Sequence, residues 1–207
     1  MPIGIEQLDS NQIEVLKEIG NIGAGNAITA LAKMLNKRVD MSVPIVKILN
    51  FRDIPDILGN SEVIIVGILL EVTGDITGSI MFALDMKSAH SLTDLLMGKQ
   101  DDPEDGEFNE IEISALKEMG NILAGSYLSA LSMLTNLNIL PYVPELSIDM
   151  AGAILSVPAI AFGSLGDTVL YIETQFTDGA EKVMGEFFLI PDVDSYGTLL
   201  KALGVMS

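Results

Sequence analysis

The decapeptide LKEIGNIGAG, Leu16 to Gly25, recurs one hundred residues later as LKEMGNILAG, Leu116 to Gly125. Between residues 16–36 and 116–136, eleven of twenty-one positions are identical, and Val43-Pro44 is matched by Val143-Pro144 at the same offset. This is an internal duplication, so the two halves share one fold and their sites are related by a pseudo-twofold axis. At 207 residues the chain is long enough to bury one substantial core between them.

In the first copy Ile13, Leu16, Ala27, Leu31 and Met34 recur at helical spacing, with Gly20 and Gly23 on the same stripe. An interior Gly costs ~1 kcal/mol relative to Ala, which close packing against a neighbouring helix or strand can offset. A strand follows from Val43 to Leu49, with Pro44 at its start, where no ladder donor is needed. Next come a short turn or helix at 54–58 and β-rich runs at 62–73 and 76–84, joined through Gly74-Asp75. An amphipathic helix at 87–97 stops at Gly98. The acidic stretch KQDDPEDGE, 99–107, reads as a linker. The second half repeats the order: a helix at 109–134, a strand after Pro144, a short helix, strands at 168–176 and 185–190, and a helix at 196–203. The expectation is an α+β fold, one domain over 1–207. It consists of two α-β-α-β-β-α halves (about 11–98 and 108–204) with a mainly antiparallel sheet and long helices packed on it.

A formal net charge of −18 with only 11 Lys and Arg opposes nucleic-acid binding, whose footprint is a basic patch. The absence of Cys removes disulfides and thiolate zinc sites, and the single His90 makes no cluster and is expected at the surface. The Met-Pro-Ile-Gly start lacks the basic and apolar regions of a signal peptide. The strongly apolar, uncharged run 150–166 is short of the ~20 residues of a spanning helix and contains Pro158. A cytoplasmic protein without membrane insertion is expected.

The candidate chemistry lies on the other side of the repeated helix. Glu14, Glu18, Asn21 and Gly25 follow an i, i+4, i+7, i+11 course away from Leu16, Ala27 and Met34; Ser114, Glu118, Asn121 and Gly125 do the same in the second copy. One such strip is ordinarily solvated surface. Two strips with the same carboxylate, carboxamide and Gly ask for more than solubility. Gly25 and Gly125 sit one turn beyond Asn, where core packing does not explain them and a bare backbone lets a partner's surface approach. GNIGAGN is not G-x-G-x-x-G and lies within a helix, so it is no phosphate-cradling loop. Glu18 and Asn21 are two oxygen ligands without a third, which argues against a metal, and no nucleophile–base pair is visible.

The pattern Asp/Ser-x-x-x-Glu-x-x-Asn, followed by twenty-two residues and Pro, resembles the CheC-type phosphatases of bacterial chemotaxis, which dephosphorylate the response regulator CheY. The second copy carries Ser114, Glu118, Asn121 and Pro144; the first carries Glu18, Asn21 and Pro44, with Glu14 in place of Asp or Ser. The resemblance covers nearly the whole chain. Two copies match CheC, whereas CheX-like proteins carry one, and FliY-like proteins append a flagellar-switch domain for which no residues follow Ser207. It implies that the phosphorylated regulator brings its own aspartyl phosphate, Mg²⁺ and lysine, so the phosphatase needs no cofactor of its own. Asn21 and Asn121 would orient the attacking water without taking a proton, as a Gln does in small GTPases, while Glu18 and Glu118 pair with the regulator's lysine. CheD, the receptor deamidase, is implied as a second partner. The alternative is a non-catalytic binding module that regulates CheD or belongs to the flagellar switch; FliM's middle domain is related in fold but lacks Glu-x-x-Asn. Asp149 stands where the first copy has Leu49, just before the helical run 150–157. It reads as a helix N-cap, or as an asymmetry by which CheD recognises one half.

Overall fold

The computed structural model describes residues 10–35, 40–42, 45–98, 107–161, 168–177 and 182–204. The first half runs α1 (Ser10–Leu35), β1 (Asp40–Met41), β2 (Ile45–Asn50), a 3-10 turn (Phe51–Asp53) leading into α2 (Ile54–Ile57), the hairpin β3 (Ile64–Gly74) and β4 (Gly78–Asp85), then α3 (Met86–Met97). The second runs α4 (Glu110–Thr135), β5 (Ile139–Pro141), β6 (Glu145–Met150), α5 (Ala151–Ala161), β7 (Thr168–Thr177), β8 (Lys182–Pro191) and α6 (Val193–Ala202). This is the expected α+β class. Strands β1 and β5 add to the expectation; at two and three residues they are too short to show a period-2 pattern.

Among the described residues, eight strands form one antiparallel sheet in the order β1-β7-β8-β4-β3-β5, with β2 also on β7 and β6 also on β3. Each half therefore lays its leading strands against the other half's hairpin: Ile45 opposes Glu173, and Glu145 opposes Leu69. At the centre β4 pairs with β8, where Met81 faces Phe188. Those residues stand 107 positions apart, the offset that also relates Gly78 to Gly185 and Asp85 to Asp192, so the pseudo-twofold axis passes through this pair.

Apolar layers cover the centre of the sheet on both faces. Ile68, Leu70, Phe82, Leu84, Phe187 and Leu189 meet Leu31, Leu116, Leu123 and Leu131 of the long helices on one face, and Met81, Ala83, Tyr171 and Phe188 meet Ile54, Ile154 and Leu155 on the other. Coverage on both faces accounts for the unbroken apolar reading of β4, buried from Gly78 to Leu84. The two shorter helices on the first face are capped alike. Asp85 Oδ1 accepts the Ser88 N–H at 2.6 Å, and Asp192 Oδ1 accepts the Ser195 N–H at 2.8 Å. Each Ser hydroxyl then accepts an N–H of the opposite half, from Met184 at 3.3 Å and from Thr77 at 2.7 Å. One Asp-x-x-Ser motif thus starts a helix, worth ~1 kcal/mol, and latches the two halves together.

Three expectations change. His90 is buried, not at the surface: α3 turns it toward the entry of α4, where it stacks on Phe108 at 4.1 Å between ring centroids, and its Nε2 has no hydrogen-bond partner among the described residues. Met34, placed on the buried stripe of α1, is 40% exposed near the end of that helix. Asp149 is not an N-cap. It lies exposed in β6 opposite Ile65, and its carboxylate accepts only the adjoining Met150 N–H at 2.7 Å. The first N–H groups of α5 go instead to carbonyls before β3, Ala151 to Val63 at 2.8 Å and Gly152 to Ser61 at 2.9 Å. Gly152 permits this approach, since a Cβ there would lie 3.1 Å from the Ser61 oxygen. Val43-Pro44 and residues 99–106 lie outside the described residues.

Candidate functional site

The second copy of the motif hangs from a fixed helix start. Asn109 Oδ1 accepts N–H groups from Ile111 at 2.9 Å and Glu112 at 3.1 Å, and the Asn109 N–H donates to Glu112 Oε2 at 2.9 Å. This reciprocal capping box sets the rotation of α4 two residues before Ser114.

Helices α1 and α4 pack on one another over the sheet. A Cβ at Gly23 would lie 2.3 Å from Tyr127 Cδ1 and 3.0 Å from Tyr127 Cα, so the backbones touch there; a Cβ at Gly120 would lie 2.7 Å from Ile68 Cγ2 of β3. Gly20 is buried as well. By the hundred-residue offset, the Gly23–Tyr127 pair corresponds to Leu123 and Ala27, both buried. Small and large residues have changed places across the pseudo-twofold axis, keeping the interhelical gap filled.

The opposite side of each helix carries the motif. Glu14, Glu18, Asn21 and Gly25 are exposed; Ser114 and Glu118 are exposed, and Asn121 and Gly125 are half-buried. A Cβ at Gly25 or Gly125 would meet nothing within 4 Å. The spacing of three and four stacks Glu and Asn as neighbours on one strip. Among the described residues, the side chains of Glu18, Asn21, Glu118 and Asn121 have no hydrogen bond or ion pair within the chain. The carboxamide keeps both its acceptor oxygen and its donor N–H groups available. Such a strip can orient a water or another molecule's groups. No group of three His, Cys, Asp or Glu converges among the described residues as it would around a metal.

The two strips differ at their first position. In α1 the Glu14 carboxylate holds Lys17 at 2.8 Å. In α4 the Ser114 hydroxyl turns back to donate to the Glu110 carbonyl at 2.8 Å. Lys17 and Lys117 were not among the residues singled out from the sequence, although Leu-Lys-Glu recurs whole in both copies. Pro144 is half-buried between β5 and β6.

A perturbed acid lies elsewhere, on the far face of the sheet. Glu186 of β8 is pushed up to about 7 by burial, then by Asp85 and Glu173; Glu173 stands directly opposite it on β7. Burial and the same Glu173 also raise Tyr171, whose hydroxyl donates to Glu173 Oε2 at 3.1 Å.

A sheet with two long and two shorter helices on one face and short helices on the other is a fold shared with solved flagellar proteins. The crystal structure of Thermotoga maritima FliY matches at a TM-score of 0.73 and 24% identity, covering 95% of this chain and 98% of that one. A chain of the H. pylori FliG–FliM complex matches at 0.70 and 11%, covering 94% and 100%; at these identities the likeness concerns the fold. The family follows from sequence. The CheC-like family model matches residues 12–48 and 111–148, each containing a Glu–Asn strip, and the CheY-P phosphatase CheC of Bacillus subtilis (strain 168) is 39% identical over 200 residues, 95% of this chain and 96% of that protein. The chain belongs to the CheC-like family.

No described helix is long and apolar enough to cross a membrane.

Proposed function

We propose that this chain is a phosphatase for the aspartyl phosphate of the chemotaxis response regulator CheY. The observation that carries the reading is a pair of Glu–Asn strips, each facing away from the core, with no partner among the described residues and open space beside its glycine. Membership of the CheC-like family and the name of the 39% identical relative support the substrate.

In this reading Asn21 and Asn121 hold the attacking water in line with phosphorus through the carboxamide, and Glu18 and Glu118 dock on the regulator's lysine. The Mg²⁺ belongs to the regulator. Positioning accounts for catalysis by a surface without a nucleophile, because phosphoryl transfer is governed by alignment and charge stabilisation. Gly25 and Gly125 clear the approach, Ser114 and Pro144 support the strip and the loop after it, and Pro44 enters this reading as the motif position equivalent to Pro144. CheD is a second partner in this reading, with Asp149 on its recognition surface, and the protein works in the cytoplasm.

The test is phosphate release from phosphorylated CheY by Asn21→Ala, Asn121→Ala and the double variant. Loss of a transition-state donor lowers the rate at its site by ~10²-fold or more, and the double variant is inactive while keeping its helical circular dichroism. Wild-type release by the folded double variant would refute the water-positioning role and favour a non-catalytic binding module of CheD or of the flagellar switch.

A further inference from the structure

We propose that Lys117 is a docking cation of the second site, and that the residue at position 114 or 14 decides whether the neighbouring lysine is available to the substrate. The inference rests on the phosphatase reading and concerns a residue outside the Glu–Asn pair.

Lys117 lies one helical turn before Asn121, at i and i+4, where Cβ atoms are ~5–6 Å apart. Its counterpart Lys17 stands in the same relation to Asn21. The two lysines differ in occupation. Lys17 Nζ is taken by Glu14, three residues earlier, at 2.8 Å. Position 114 is Ser, and its hydroxyl donates to Glu110 O. Half-buried Lys117 therefore makes no ion pair or hydrogen bond among the described residues. A cation without a partner among the described residues, beside the amide that approaches a phosphoryl group, in a chain of net charge −18, is placed to answer an anionic substrate. Its long stem spans the distance to whatever Asn121 touches, and its three donors suit phosphoryl and carboxylate oxygens. At the first site the same ammonium is already held by Glu14 in an exposed pair with which the regulator must compete. Glu14 thus weakens site one through Lys17, without acting on Asn21.

The test uses the full chain with the first site silenced by Asn21→Ala and reads steady-state phosphate release from phosphorylated CheY at low and high salt. Lys117→Met raises KM about tenfold at low salt, the lower end of electrostatic steering, with little change in kcat. The defect fades toward 1 M salt, where the Debye length is ~3 Å, and Lys117→Arg retains wild-type behaviour within about threefold. Ser114→Glu leaves the lysine in place but gives it an intrahelical carboxylate, and reproduces part of the KM defect. Conversely, Glu14→Ser in the Asn121→Ala background lowers KM at site one. An unchanged KM in Lys117→Met, a defect insensitive to salt, or Ser114→Glu without effect overturns the inference while leaving the phosphatase reading intact. Absence of phosphate release from the unmutated chain overturns the phosphatase reading and the lysine's role with it.

Discussion

Gly120 and Gly125 occupy one helix, five residues apart, and replacing each should have opposite consequences. A Cβ at 120 would sit 2.7 Å from Ile68 Cγ2 and 3.0 Å from its Cδ1, against an ordinary contact distance of 3.4 Å or more. Ile68 is fully buried in β3, so it has little room to yield. Overpacking of this kind costs about 1–3 kcal/mol, and Ala returns ~1 kcal/mol of helix propensity, leaving Gly120→Ala net destabilised by roughly 0–2 kcal/mol. Leu at 120 adds three further heavy atoms and should cost at least ~3 kcal/mol, a fall in Tm of roughly 6–12 °C for a domain of this size. At 125 a Cβ meets nothing within 4 Å, so Gly125→Ala should gain up to ~1 kcal/mol, or about 2–4 °C. Gly125→Leu should also fold, yet hold the regulator away from Asn121; a displacement of ~1 Å costs ~10²-fold in rate. Thermal denaturation followed by circular dichroism, with phosphate release measured on the same preparations, separates the effects. Activity and stability falling together at 125, or Gly120→Leu melting with the wild type, would refute the division of the glycines into packing and clearance.

Removing the Glu186 carboxyl by Glu186→Gln tests the acid cluster. Its folded pKa of about 7 lies above the ordinary 4.5, so its contribution to stability is present below about 4.5 and lost as pH rises through about 7. The loss amounts to roughly 3 kcal/mol at most, and the Gln variant should show a flatter stability profile between pH 5 and 8 with a higher denaturation midpoint at pH 8; parallel profiles would exclude the cluster as the source. Glu118→Lys should impair turnover more than Glu118→Gln at low salt, because a like charge then meets the regulator's lysine, and the gap should narrow as salt rises. Equal turnover of the two variants at low salt removes the ion pair. Ser195→Ala strips the acceptor from the Thr77 N–H and should cost about 1–2 kcal/mol in chemical denaturation; an unchanged midpoint means water takes its place.

Elements with a strong local signature are legible in the sequence. Helix α3 ends at Gly98 with φ 67°, and the duplicated helices appear where apolar residues return every three or four positions. The exposed strip was legible because its residues oppose that stripe on a helical wheel. The strand exchange was not: β2 had two hairpins of similar apolar character to choose from, and only long-range register decides between β3 and β7. Position 90 misled because a lone His on an amphipathic helix gives no sign that Phe108, beyond the acidic stretch, will cover it. Asp149 misled because carbonyls from residues 61 and 63 satisfy α5, a contact between segments almost ninety positions apart. The state of Lys17 depended on a side-chain contact that Leu-Lys-Glu alone does not reveal.

The exchange of leading strands sets a timetable for the nascent chain. When residue 98 leaves the ribosome, β3 lacks β6, β4 lacks β8, and β2 lacks β7, so every strand of the first half still has an unsatisfied edge. The edge of β3 can close once Met150 is made and that of β2 once Thr177 is made, but the edge of β4 closes only after Pro191 has been synthesised. At ~5–20 residues per second the first half waits roughly 5–20 s for its partner. Throughout that interval the ladder groups of β4 are open to a second nascent copy, whose own hairpin offers the same apolar face and complementary hydrogen bonds. Closely spaced ribosomes on one message would therefore favour intertwined dimers, and slow translation of the region between the halves would lengthen the exposure.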